Sequence, residues 1–218
     1  MKHHAVIILS GGLDSTTLLY DLHSQDYTIN AVTFDYGQKH KKEIAYAKKT
    51  CELLDIPQKI IDARVLNDLA PSALTRSDRA IPEGNYADDT MKQTVVPNRN
   101  MVLLSLAAAY AIGIRAGHLF YGAHAGDHAI YPDCRPAFVN AMTAAFHLCD
   151  GNDLVLSAPY LSLSKGEIVK KGLSLGADYS LTWTCYKGKE KACGKCGSCD
   201  ERLAAFKEAG AADPLEYE

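Results

Sequence analysis

A turn rich in serine and glycine, Ser10-Gly11-Gly12-Leu13-Asp14-Ser15-Thr16, stands between an apolar run and a helix-like run. The apolar run is Ala5-Val6-Ile7-Ile8-Leu9, and the helical one is Thr17-Leu18-Leu19-Tyr20-Asp21-Leu22. That order reads as strand, tight turn and helix start, the opening unit of an α/β sheet. Glycines lack Cβ, so the turn can take positive φ and its backbone can approach a ligand closely. The helix start aims unpaired N–H groups and its positive dipole end at the turn. Ser10, Ser15 and Thr16 add hydroxyl donors, so the turn suits a chain of phosphates. Asp14 is then placed to hold a Mg²⁺ bound to them.

The common phosphate loop needs Gly-x4-Gly-Lys followed by Ser or Thr, and no such run occurs here. The Ser-Gly-Gly-x-Asp-Ser pattern instead resembles the pyrophosphate loop of the ATP pyrophosphatases. That resemblance implies cleavage of ATP between its α and β phosphates, with AMP passed to a carboxylate or carbonyl oxygen. It implies an ATP-binding set of Leu9, Ser10, Gly11, Gly12, Leu13, Asp14, Ser15, Thr16, Thr17, Leu18 and Leu19.

The rest of the chain is consistent with an α/β fold. Further strands are expected at Thr28–Phe34, Gln58–Asp62, His118–Gly122 and Asp153–Leu156, with helices from Gln38 to Asp55 and from Met101 to Ile114. Strands alternating with helices imply a mostly parallel, doubly wound sheet covered on both faces. Its ligands belong outside the carboxyl ends of strands, where the strand order reverses. The 218 residues suffice for one domain, 1–218. Pro71 to Pro97 is polar and aperiodic, and is expected to form a mobile lid. A net charge of −3 argues against a nucleic-acid partner. Only five apolar residues follow the N-terminal basic stretch before the turn, and the Met101 helix is too short to span a bilayer. A cytoplasmic protein without a membrane segment is therefore expected.

Four of the seven cysteines, Cys185, Cys193, Cys196 and Cys199, fall within the segment 183–199 as Cys-x7-Cys-x2-Cys-x2-Cys. The short gaps let thiolates converge on one ion, and Gly194 and Gly197 allow the tight turns. Four thiolates suit tetrahedral, structural Zn²⁺, with an iron–sulfur cluster as the rival. Cys51 and Cys149 are read as core residues on apolar helix faces.

Several loops carry further polar candidates. At the end of the second strand, Tyr36 is placed to stack on a base and Gly37 to allow close approach, beside backbone groups that suit an adenine edge. Arg99 opens the Met101 helix as a clamp for phosphate or carboxylate, with Asn98 or Asn100 as its cap. The loop after the fourth strand gathers His124, Asp127, His128, Asp133, Cys134 and Arg135. Asp127 or Asp133 suits the amidine edge of a purine-like ring, and Arg135 a carboxylate. The spacing gives no clean set of ligands for a second metal. Ser164 and Glu167 fit a capping box, and Lys165 stands in a first turn that disfavours a cation unless it reaches an anion.

The Ser10 loop, Phe34-x-Tyr36-Gly37-Gln38, Val96-Pro97-x-Arg99-Asn100, Tyr131-Pro132-Asp133-Cys134-Arg135, Lys165-Gly166-Glu167-Ile168 and the four cysteines occur in one order. In that order they resemble the 7-cyano-7-deazaguanine synthase family of queuosine biosynthesis. The resemblance implies ATP-dependent conversion of 7-carboxy-7-deazaguanine and ammonia to the nitrile, by a homodimer. Asp14, Lys165 and Arg99 are then the catalytic candidates, and Asp127, Asp133 and Arg135 bind the base. A tRNA-thiolating enzyme would share the loop but needs a basic docking surface and a sulfur-carrying cysteine near ATP. A nonenzymatic nucleotide-binding zinc module would leave the Asp127 loop without a purpose.

Overall fold

The computed structural model describes residues 3–76, 78–83, 89–129, 131–150 and 153–218. Its elements are β1 (His3–Ile8), α1 (Leu13–His23), β2 (Tyr27–Asp35), α2 (Lys42–Leu53), β3 (Gln58–Asp62), α3 (Val65–Leu69), α4 (Arg99–Gly113), β4 (His118–Phe120), α5 (Pro136–Asp150), β5 (Val155–Ser157), α6 (Lys165–Ser174) and α7 (Gly197–Ala209). The five strands form one parallel sheet in the order β3-β2-β1-β4-β5. The chain winds outward from β1 to β3, then returns to the other side of β1 for β4 and β5. The winding reverses between β1 and β4, and there a crevice opens at the carboxyl ends of the strands.

β1 is central, which explains its unbroken apolar run. Ala5 and Ile7 pack on one face of the sheet with Leu18, Leu19, Ile168, Val169 and Phe206, from α1, α6 and α7. Val6 packs on the other with Leu104, Ala108, Met142 and Phe146, from α4 and α5. A strand buried on both faces has no polar alternation to display. α4 has 15 residues, fewer than the ~20 a bilayer requires. The wider stretch Lys92–Gly113 is apolar and long enough to cross a membrane by length and composition. Here the helical structure is interrupted at Val95–Asn98, and Leu103, Leu104, Ala107, Ala108 and Ala111 are buried.

Some expectations shift. α2 begins at Lys42 because the Gln38 side chain is already engaged with the backbone. It accepts from the Tyr36 N–H at 2.9 Å and donates to the Phe34 carbonyl at 3.1 Å. Asn98 stands at the N-cap of α4 in a left-handed conformation, φ 60°, without a side-chain capping bond. Asn100 does not cap either; it donates to the Cys134 thiol at 3.5 Å. The capping box of Ser164 and Glu167 is formed. Cys51 is buried, but Cys149 is exposed, because the last turn of α5, with His147 and Leu148, projects beyond the core. Of the polar stretch, Gly84, Asn85 and Asp88 lie outside the described residues. Ser72 to Thr75 are buried within it.

Arg202 is fully buried on α7 and binds the whole C-terminal region together. Its guanidinium donates to both Asp213 oxygens at 2.9 Å, to Thr182 Oγ1 at 2.8 Å and to the Tyr179 carbonyl at 3.2 Å. Removing one partner of a buried pair strands the other charge. Asp213→Ala is expected to lower unfolding free energy by about 3–5 kcal/mol, and Arg202→Met added to it should recover part of that loss. Denaturant titration of both variants checks this; a single variant as stable as the parent contradicts it.

Candidate active site

A cavity of about 260 Å³ opens at the crevice, lined from β1 and α1 by Ile8, Ser10, Gly12, Leu13, Asp14 and Ser15. Tyr36, His40 and Glu43 follow β2; Arg99, Asn100, Leu103 and Leu104 come from α4; Tyr121, Gly122, Ala123, Asp127, Tyr131 and Cys134 follow β4. Lys165 comes from α6, and Trp183, Thr184, Tyr186 and Ser198 come from the cysteine segment and its approach.

The phosphate turn is tightly held. Gly11 has φ +85°, and a Cβ there would meet the Glu43 carbonyl oxygen at 2.0 Å. The Trp183 N–H donates to the Gly11 carbonyl at 2.9 Å. Gly122 presses on the other flank, where a Cβ would stand 3.1 Å from the Ser15 nitrogen. Ser10 and Ser15 hydroxyls meet at 3.0 Å. Gly11→Ala combines a backbone clash with a disfavoured φ and is expected to destabilise the fold by at least ~1–3 kcal/mol. Thermal melting measures this, and an unchanged melting temperature would refute the packing account.

At the first turn of α1 a charged cluster forms. Lys165 Nζ stands 3.2 Å from Asp14 Oδ2 and 2.6 Å from Glu201 Oε2. His124, almost fully buried, accepts the Gly126 N–H at Nδ1, 3.1 Å, so a neutral ring carries its proton on Nε2. That Nε2 faces Asp127 at 3.5 Å, Asp14 at 3.8 Å and Glu201 at 4.0 Å. Burial pushes the Asp14 carboxyl up, but Lys165 and His124 outweigh it and hold it below the ordinary carboxylate range. Burial disfavours the Lys165 cation, yet Asp14, Glu201 and Asp127 keep it firmly protonated. Glu201 is raised by burial despite Lys165. The cluster thus holds a charged lysine and an ionised aspartate where phosphates would lie.

Ser10, Gly12, Leu13, Asp14, Ser15, Tyr36, Arg99, Asp127 and Lys165 all line the cavity, as the sequence suggested. Leu9, Thr17, Leu18 and Leu19 do not: their side chains are wholly buried in the core, since only the first turn of α1 reaches the crevice. Gly11 and Thr16 are not in the lining, and Gly37 lines a separate pocket with Asp62, Arg64 and Asn67. Asp133 and Arg135 do not line it either, and Arg135 is exposed. The Arg99 guanidinium stacks over the Tyr36 ring at 5.6 Å. Burial, then Asp127 and Asp133, push the Cys134 thiol well above its ordinary range, which disfavours a thiolate. Glu201, Glu43, Tyr121 and Tyr186 went unmarked in the sequence, and His40, which with Lys41 and Lys42 reads there as a solvated basic face, is buried in the cavity wall; Glu201 carried no signal beyond lying two residues past Cys199.

The thiols of Cys185, Cys193, Cys196 and Cys199 are buried with their sulfurs within 4.8 Å of one another. Among the described residues they are the group of His, Cys, Asp and Glu whose atoms are spaced to hold one metal ion.

The family model described as "Queuosine biosynthesis protein QueC" matches residues 4–210. The chain belongs to this family. A 7-cyano-7-deazaguanine synthase of Methanoregula boonei is 75% identical over 214 residues, 98% of this chain and 99% of that protein. Its namesake from Caldicellulosiruptor saccharolyticus is 62% identical over 98% of this chain and 95% of its own. The one from Alteromonas mediterranea is 52% identical over the full length of both. Among solved structures, NMN synthetase from Francisella tularensis superposes with a TM-score of 0.54 at 14% identity, covering 95% of this chain and 77% of that one. A 4-thiouridine synthetase in complex with RNA and ATP gives 0.54 at 15% identity, covering 95% of this chain and 50% of that one. These two structures share this chain's fold, a parallel α/β sheet.

Proposed function

We propose that the chain uses ATP to convert 7-carboxy-7-deazaguanine and ammonia into 7-cyano-7-deazaguanine. One observation carries the reading: the phosphate turn, with Asp14 and Lys165, opens into the same cavity as Tyr36, Arg99 and Asp127. That juxtaposition occurs in a chain 75% identical to a synthase of that name.

A carboxylate is a poor electrophile. Its oxygen attacks the α-phosphorus of ATP, pyrophosphate leaves, and the acyl adenylate gains a good leaving group. Ammonia adds to the acyl carbon, AMP departs and an amide forms. Activation of the amide oxygen in a second round permits loss of that oxygen with the amide protons, giving the nitrile. Lys165 and the first N–H groups of α1 stabilise charge that develops on the departing phosphates. Arg99 clamps anionic oxygen from the opposite wall. Asp127 faces the base from the cavity wall, and Asp133 and Arg135, on the same loop but outside that wall, would reach it only if the loop moves inward. Asp14 Oδ1 is buried without a partner, and this oxygen suits Mg²⁺, which would neutralise the phosphates. Cys185, Cys193, Cys196 and Cys199 would hold a Zn²⁺ through four thiolates, and an ion so held would shape the segment while leaving no position for chemistry.

The chain is read as one domain, 1–218, acting in the cytoplasm, where its thiols stay reduced. Its charge of −3 supports small-molecule substrates over tRNA. A homodimer rests on the family resemblance, and sedimentation equilibrium tests it. For the reaction, incubation with ATP, ammonium and the carboxylated base should yield the nitrile mass with AMP and pyrophosphate. Absence of the nitrile, with ATP binding intact, would overturn the reading.

A further inference from the structure

We infer that Glu201 is the positioning residue for Lys165, anchoring its ammonium beside the phosphate turn from outside the cavity. The inference rests on the reaction proposed above, in which Lys165 meets the departing phosphates. Lys165 is the first residue of α6, where the helix dipole disfavours a cation. Its ammonium sits on a flexible four-carbon stem, so it stays aimed only where its surroundings fix it. Two carboxylates do so, Asp14 Oδ2 at 3.2 Å and Glu201 Oε2 at 2.6 Å. The Lys165 and Glu201 side chains are 11% and 14% exposed, which shields the pair from the screening that weakens surface pairs.

The two carboxylates differ in where they stand. Asp14 lines the active-site cavity, and Glu201 does not. Glu201 lines a second cavity with Gly126, Ser164, Gly166 and Glu208, and Lys165 lines both. Glu201 therefore acts on the reaction through Lys165 rather than by touching substrate. Asp14 serves the phosphates, so Glu201 is the partner left to hold the lysine.

The fold holds Glu201 in turn. It stands on α7 between Cys199 and Arg202, both buried, and Arg202 is tied to Asp213, Thr182 and Tyr179, which fixes the rotation of the helix. Its second oxygen, Oε1, stands 4.0 Å from His124 Nε2. A Cβ added at Gly126 would come within 3.0 Å of that oxygen, so the glycine leaves the carboxylate its room. By this arrangement the helix that begins within the cysteine motif delivers the anchor of the lysine.

Nitrile formation by the unmodified protein is measured first and examines the reaction by itself. Without Glu201, Lys165 pairs with Asp14 alone, and a misplacement of about 1 Å costs about 10²-fold in rate. Glu201→Ala should therefore lower kcat about 30–100-fold while KM for ATP and for the base stays within about threefold. Glu201→Gln keeps an acceptor at the same reach and should recover about tenfold of that loss, whereas Glu201→Asp, charged but one methylene shorter, should stay nearly as slow as the alanine variant. Lys165→Met should have the same kcat with or without Glu201→Ala, because nothing is then left to position; a merely structural residue would add its own loss. A crystal structure of Glu201→Ala should show Lys165 Nζ displaced by about 1 Å or more, a readout independent of the reaction. If the alanine variant does not fold, the structure and kcat of the aspartate variant against the glutamine variant decide in its place. An unmoved Nζ, an unchanged kcat, additive losses in the double variant, or a glutamine variant no faster than the aspartate one would overturn the assignment.

Discussion

Asp14→Ala is expected to lower ATP-dependent turnover by about 10²–10³-fold or more, with the fold retained. The fold should survive because Asp14 stands at the cavity wall rather than in the core, and Lys165 keeps its 2.6 Å partner Glu201. Turnover should fall for two reasons. The unpartnered Oδ1 available to a divalent cation disappears, and Lys165 loses the group that aims it at the phosphates. Asp14→Asn preserves the shape but not the charge, so it should be nearly as inactive. Circular dichroism and a steady-state assay across Mg²⁺ concentrations decide the matter. Near-parental turnover at saturating Mg²⁺ would remove Asp14 from the catalytic set.

The second large effect is expected at the metal centre. Replacing Cys196 by serine should remove bound metal and thermal stability together. The segment Trp183 to Cys199 is rich in glycine and lysine and closes on a small cluster made largely of the cysteines themselves. With so little apolar surface, ligation organises it. About a third of the ~10–16 kcal/mol that structural zinc supplies to small modules would lower Tm by roughly 10 °C in a chain of this size. Activity should fall too, because Trp183 bonds to Gly11 and Tyr186 lines the cavity. Elemental analysis with calorimetry reads both. Iron with sulfide in the parent, or a metal-free variant as stable and active as the parent, would overturn the zinc assignment.

The local chemistry of the site was legible in sequence because it is written in contiguous residues. The turn at Ser10–Thr16 needs only its glycines, hydroxyls and flanking strand and helix. The four cysteines announce a metal by spacing, and Ser164 with Glu167 announces a helix start, since each interaction spans a few residues of chain. The parallel sheet followed from apolar runs that alternate with helical periods. What sequence could not supply was direction across space. Arg135, charged and beside Cys134, looked like part of the site, whereas α5 begins at Pro136 and leaves it exposed. Leu18 and Leu19 adjoin the phosphate turn in sequence, but helical rotation carries them into the core. Cys149 has the spacing of a core residue, and only the reach of α5 beyond the packed layers exposes it. Glu201 and Lys165 are 36 residues apart and meet because α6 and α7 pack on the same face of the sheet. Sequence determined which groups this protein can offer to phosphate and metal; the reversal of winding between β1 and β4 decided which of the loop residues at the crevice face one another.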